Sequence, residues 1–135
     1  MVANKRFLAV EVAKGDLRVT LVNHYGPHKK EEGGHHYVKV NEQLRELSGR
    51  GKLLFGGDHN TVLASTERTS GRLDANSAHF KAIVEGLQLS NVNTLTDRPH
   101  FHTFFRGEFS SRIDTVWCNP SAAEIVRDVE RYTAN

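Results

Sequence analysis

Cysteine is nearly absent from this chain of 135 residues, which holds one, Cys118. A single thiol excludes a disulfide framework and a thiolate zinc site, so a reducing, intracellular compartment is expected. Long apolar runs are lacking too. Nothing approaches the roughly 18 consecutive apolar residues of a membrane span, and the opening residues Met1 to Arg6 carry no apolar stretch of the secretory type. Prolines number three, and no stretch reads as an interdomain linker. Charge of one sign is also scarce: 18 Lys and Arg against 16 Asp and Glu leave a net charge of +2. That sum does not announce a nucleic-acid binder, although fields act through local patches. What remains is a somewhat polar globular composition of one-domain length, able to bury roughly two-thirds of its unfolded surface.

Periodicity gives an order of elements. Residues 6–12 and 17–23 are rich in branched residues and flank Ala13-Lys14-Gly15-Asp16, which predicts an antiparallel hairpin. Leu17, Val19 and Leu21 share one face of its second strand, which ends at Asn23-His24-Tyr25-Gly26-Pro27. A polar loop is expected from His28 to Gly34. Tyr37, Val40, Leu44 and Leu47 then stand at helical spacing, with Gly49 as a stop. Lys52 to Gly56 reads as a short buried strand, Ser65 to Asn76 as a loop, and Phe80, Ile83, Val84 and Leu87 as a second amphipathic helix. Two further strands, Phe101 to Phe105 and Arg112 to Trp117, are expected around a turn containing Gly107. Ser121 to Glu124 has capping-box spacing ahead of Ile125, Val126 and Val129. The order is that of an α/β layer arrangement.

The segment richest in chemistry is Gly57-Asp58-His59-Asn60, delivered by the buried strand. Alternation puts Asp58 and Asn60 on one side if the extended backbone persists, a carboxylate and a carboxamide suited to holding water and a phosphoryl oxygen. A plain turn is the competing reading, because Gly, Asp and Asn are turn residues. His59 would face the other way and pack. The remaining histidines, among them His28, His35, His36, His100 and His102, are expected at the surface, since structural zinc sites usually include thiolates.

The succession of motifs separates these readings. Asn23-His24-Tyr25-Gly26-Pro27 is followed by the run Gly49 to Leu63, by Glu67-Arg68-Thr69-Ser70-Gly71, and by Phe104-Phe105-Arg106-Gly107 and Ser110-Ser111-Arg112-Ile113-Asp114. In that order they resemble the endonuclease/exonuclease/phosphatase superfamily, most closely the endonuclease domains of LINE-type (non-LTR) retrotransposons. The likeness runs from about Leu8 to about Val129. It implies a DNase I-like fold, a two-layer β-sandwich flanked by helices, of which residues 1–135 would supply an incomplete domain. It also implies metal-dependent hydrolysis of a DNA phosphodiester, with Mg²⁺ or Mn²⁺ as cofactor. Asp58 would orient the attacking water and ligate the metal, Asn60 would bind the scissile phosphate, and Tyr25 would donate a hydrogen bond where charge develops. Asp114 matches a carboxylate that orients a histidine in the family, and Asn23 is a supporting polar residue. Phe105, Arg106 and Arg112 are candidates for contact with DNA.

Departures from the family shape the expectation for activity. The family's upstream Asn motif, its metal-binding glutamate motif and its Ser-Asp-His motif find no match in these 135 residues, and His59 stands where a Phe is usual. Little or no hydrolysis is therefore expected of this chain alone, together with self-association or pairing with a missing domain half. The alternative is a non-catalytic nucleic-acid-binding or structural remnant. A phosphatase acting on small phosphoesters is a third reading, disfavoured by the Ser-Arg-Ile-Asp segment.

Overall fold

The computed structural model describes residues 2–3, 6–27, 33–63, 67–98 and 102–127. Two antiparallel strands, β2 (Phe7–Lys14) and β3 (Leu17–Tyr25), form the expected hairpin, turning at Gly15 in the left-handed region with φ of 60°. A two-residue strand β1 (Val2–Ala3) pairs along β2. Helix α1 (Gly33–Gly49) crosses to β4 (Lys52–Asp58), which lies parallel to β3, as a strand–helix–strand crossover requires. Helix α2 (Ala75–Gly86) follows, then the short β5 (Ser90–Asn91) and α3 (Val92–Leu95). A separate hairpin, β6 (Phe104–Arg106) with β7 (Phe109–Ser111), precedes β8 (Asp114–Cys118) and α4 (Pro120–Ala123). The main sheet has the order β1-β2-β3-β4-β8-β5.

One face of this sheet carries the core. Phe7, Ala9, Val22, Leu53, Phe55 and Trp117 meet Tyr37, Val40, Leu44 and Leu47 of α1 and Phe80, Ile83 and Val84 of α2. The helical periods read from the sequence are the ones buried. Across β3, however, the core takes Val22 and His24, while Leu17 and Leu21 lie on the other, bare face with Leu8, Val10, Val12 and Val116. The apolar alternation of β3 identifies a strand on either reading, and the side on which α1 packs selects the inner face.

Several boundaries differ from expectation. Helix α1 begins at Gly33, so Gly33 to His36 are helical and not loop. Helix α2 begins at Ala75 because Asp74 caps it: the Asp74 side chain accepts from the Ser77 amide at 3.0 Å, and Ser77 Oγ takes the Asp74 N–H. The strand expected from Arg112 to Trp117 runs instead from Asp114 to Cys118, and the Gly107 turn joins β6 not to it but to a separate strand, β7, with Arg112 and Ile113 lying between β7 and β8. The cap of α4 is Asn119, whose Oδ1 accepts from the Ala122 N–H at 2.9 Å, and not Ser121; the helix ends at Ala123. Residues 28–32, His100, Phe101 and Val129 lie outside the described residues.

Candidate active site

Strand pairing alone assembles the candidate residues. Tyr25 is the Cα partner of Asp58 across the parallel β3–β4 ladder, and Asp58 is the partner of Asp114 across the antiparallel β4–β8 ladder. Paired residues share a face, so Tyr25, Asp58 and Asp114 form one row across three neighbouring strands, on the face opposite α1 and α2. Asn23 lies one step back beside Gly56. Gly57, at φ of 128°, keeps this corner tight: a Cβ there would stand 2.2 Å from the His24 carbonyl oxygen and 2.8 Å from Asn23 Oδ1.

Asp58 ends β4, and the extended backbone does not persist to Asn60, which sits at φ of 53°. Turn chemistry and site geometry are therefore both present. The Asn60 N–H donates to Asp58 Oδ1 at 3.0 Å and fixes the carboxylate. One of the two hydrogens on Asn60 Nδ2 goes to the Gly26 carbonyl at 2.7 Å, and the Gly26 N–H donates to the Asp58 carbonyl at 2.7 Å. The ends of β3 and β4 are thus laced together at Gly26, where no side chain fits: a Cβ would lie 1.8 Å from the His59 carbonyl oxygen. Tyr25 is 43% exposed, with the Arg6 guanidinium carbon 5.8 Å from its ring centre.

Behind this row the structure holds what sequence reasoning missed. His24 and His59 are each 1% exposed, not at the surface, with Nδ1 atoms 2.8 Å apart. His59 packs against Phe55 and Phe80, as expected of a residue in the place of a Phe. His24 Nε2 lies 2.8 Å from Nε2 of the half-buried His36, so two histidines expected at the surface, His24 and His36, form a chain with the packed His59. Burial, then the neighbouring His59, His36 and Arg6, hold the His24 pKa down at about 2. Burial holds His59 at about 4, against an opposing hydrogen bond to Thr115. Both rings are neutral at neutral pH.

The groups expected to meet DNA separate. Arg112 is 4% exposed; it lies 3.6 Å from Glu67 Oε2, and its Nη2 donates to Asn91 Oδ1 at 3.2 Å. It clamps loops together and is not displayed to a phosphate, because its backbone N–H is drawn inward to the Glu67 carbonyl at 2.8 Å. Phe105 and Arg106 are exposed on the small hairpin, beside a groove of about 610 Å³ lined by Arg68, Thr69, Phe104, Arg106 and Phe109. Thr103 ties the base of the hairpin to the site: its N–H donates to the Ser111 carbonyl, and its Oγ1 accepts from the Asp114 N–H at 3.1 Å. Arg68 is half-buried and pairs with Asp74 at 3.0 Å. Burial pulls the Asp74 carboxyl upward, but Arg68, the Ser77 amide and Thr61 outweigh it and hold it below its usual range.

The donor set was compared with a hard divalent cation. Among the described residues, no group of three or more His, Cys, Asp or Glu side chains gathers at one point. The row itself offers Asp58 and Asp114, a set that fits Mg²⁺, which takes one or two carboxylates and completes its shell with water and substrate phosphate.

No protein-family model and no curated protein sequence matches the chain. Solved structures do. The endonuclease domain of TRAS1, a telomere-specific non-LTR retrotransposon, is 24% identical with a TM-score of 0.62, over 85% of this chain and 51% of that one. Truncated TDP2 of Caenorhabditis elegans is 15% identical with a TM-score of 0.54, over 84% of this chain and 45% of that one. An endonuclease/exonuclease/phosphatase family protein of Bacteroides thetaiotaomicron is 20% identical with a TM-score of 0.52, over 79% and 37%. The chain spans about half the length of these structures or less. Its six-stranded sheet, with α1 and α2 packed on one face, has part of the DNase I-like fold seen in these structures.

Proposed function

We propose that the chain is the phosphodiester-binding and water-positioning part of a metal-dependent DNA endonuclease of retrotransposon type. The observation that carries this reading is the row Tyr25–Asp58–Asp114 with Asn60 locked beside it. Asp58, whose Oδ1 accepts from the Asn60 amide, would orient water toward phosphorus and hold Mg²⁺. Asn60 and the Tyr25 phenol donate to phosphoryl oxygens, Asn23 supports them, and Asp114 adds negative charge that favours a cation. A bound Mg²⁺ would offset charge on the phosphate as the P–O bond breaks. DNA is guided to the row by the hairpin, through stacking on Phe105 and a phosphate contact from Arg106.

Hydrolysis by this chain alone is expected to be slow, because His24 and His59, the histidines of these strands, point into the core and not at the phosphate. Nicking of supercoiled plasmid DNA with Mg²⁺ tests the proposal. Slow nicking that vanishes in Asp58→Ala supports it. Salt-sensitive DNA binding without any Asp58-dependent nicking, unchanged by EDTA, would replace it with the second reading, a non-catalytic nucleic-acid-binding module. The hairpin favours that reading, since its exposed aromatics and Arg106 do not depend on the carboxylates.

A further inference from the structure

The residues that alternate with the site residues face inward, and there they meet. On β3, Asn23 and Tyr25 point to the bare face and His24 to the core; Asp58, the last residue of β4, points out and His59, just beyond it, points in. Fixing one imidazole fixes the backbone that carries the opposite side chains.

His59 is held at four points. Its N–H donates to the Ile113 carbonyl at 2.8 Å, Nε2 lies 3.1 Å from the Thr115 carbonyl, Nδ1 faces His24, and its own carbonyl accepts from Tyr37 Oη at 3.4 Å. The Tyr37 phenol stays protonated, as burial and then Asp74 push its pKa upward. A carbonyl only accepts, so the proton of His59 sits on Nε2, and Nδ1 is left as an acceptor. His24 must then donate from Nδ1, and its Nε2 must accept from Nε2–H of His36. One set of neutral tautomers satisfies all three contacts, assigned by the partners around them. Any other set leaves two N–H groups or two lone pairs facing each other, at a cost that burial raises.

We infer that His24 and His59 are positioning residues for the Tyr25–Asp58 site, their buried imidazole–imidazole hydrogen bond setting the spacing of the two strand ends that present Asn23, Tyr25, Asp58 and Asn60. The inference rests on the proposed function for what the site does, but not for the linkage itself. Breaking the bond loosens the lacing at Gly26 and Asn60 more than an equal loss of stability made elsewhere would.

Imidazole ¹⁵N spectra of the full chain at neutral pH give the first test. Protonated Nδ1 in His24 with protonated Nε2 in His59 and His36 is expected; a His24 carrying its proton on Nε2 would overturn the inference. The second test is hydrogen exchange at the Asn60 side-chain amide and the Gly26 N–H. His24→Val should cut their protection roughly tenfold, as loss of a buried hydrogen bond implies. His24→Asn, whose amide can donate in place of Nδ1–H, should restore most of it, and Val84→Ala, a core truncation in α2, should spare it. Equal loss in His24→Val and Val84→Ala would also overturn the inference. Neither readout needs nuclease activity, so a chain that never nicks DNA would sink the proposed function and leave this linkage decided on its own terms.

Discussion

The guanidinium of Arg112 and the carboxylate of Glu67 lie 3.6 Å apart with only 4% and 15% of their side chains exposed. Glu67 Oε1 also accepts from the Leu63 N–H at 3.1 Å, and Arg112 reaches Asn91, so the pair joins the loop after β4, the residue before α3 and the start of β8. Removing one partner strands the other charge. Arg112→Ala is expected to cost about 3–5 kcal/mol, measured by urea denaturation. Arg112→Ala and Glu67→Ala together should cost less than the sum of the single changes. An Arg112→Ala protein as stable as the parent would mean that the guanidinium is not buried.

Acid sensitivity follows from the imidazoles. In the unfolded chain His24 and His59 titrate near 6.5, whereas the folded chain holds them at about 2 and about 4. Below 6.5 the unfolded state binds protons that the folded state refuses. Their contribution is therefore complete above 6.5 and is lost as pH falls toward 4, and further toward 2 for His24. The groups facing His24 are His59, His36, Arg6 and Tyr37. The melting temperature should drop over this window with a slope approaching two protons, falling toward one in His24→Val. A flat profile between pH 6.5 and 4 would contradict the burial of both rings.

The hairpin gives a binding prediction separable from stability. Phe105→Ala should weaken binding to a DNA duplex by about 1–3 kcal/mol if the ring stacks on a base. Arg106→Ala should lower the slope of log affinity against log salt by about one. Both side chains are exposed, so neither change should move the melting temperature by more than about 2 °C. Fluorescence anisotropy across a salt series, paired with thermal melts, checks this.

The bare sheet face gives the fourth. Leu8, Val10, Val12, Leu21 and Val116 are 37–50% exposed on neighbouring strands, an apolar area of the kind that draws copies together. Sedimentation should show concentration-dependent association that Val10→Lys and Val12→Lys suppress. A monomer at every concentration, with no gain from the lysines, would refute it.

Much of this was legible in the sequence because the signals are local. The 3.6-residue period of Tyr37, Val40, Leu44 and Leu47, the glycine-bounded strand ahead of Asp58 and the hairpin at Gly15 all arise from neighbouring residues. Motif order picks out Tyr25, Asp58 and Asp114 as candidates, and strand pairing sets them in one row. The fate of His24 and Arg112 was not legible, because each depends on a distant partner: His24 and His59 are 35 residues apart, and Arg112 meets a Glu67 from which α2, β5, α3, β6 and β7 separate it. A polar residue among apolar ones reads as surface until the group that satisfies it is known. The same holds for β3, whose more apolar face, with Leu17, Val19 and Leu21, is the bare one, because the core side takes Val22 and His24.

That uncovered face also governs the charges at its end. Asp58 and Asp114 stand at the margin of an apolar plane open to water, which screens their pull on a cation. Anything laid across Leu8, Val10 and Leu21 would displace that water. A lower effective dielectric would strengthen the same attraction with no atom of the row displaced. The pull of these carboxylates on a cation is in this sense a property of the neighbouring hydrocarbon as much as of the aspartates.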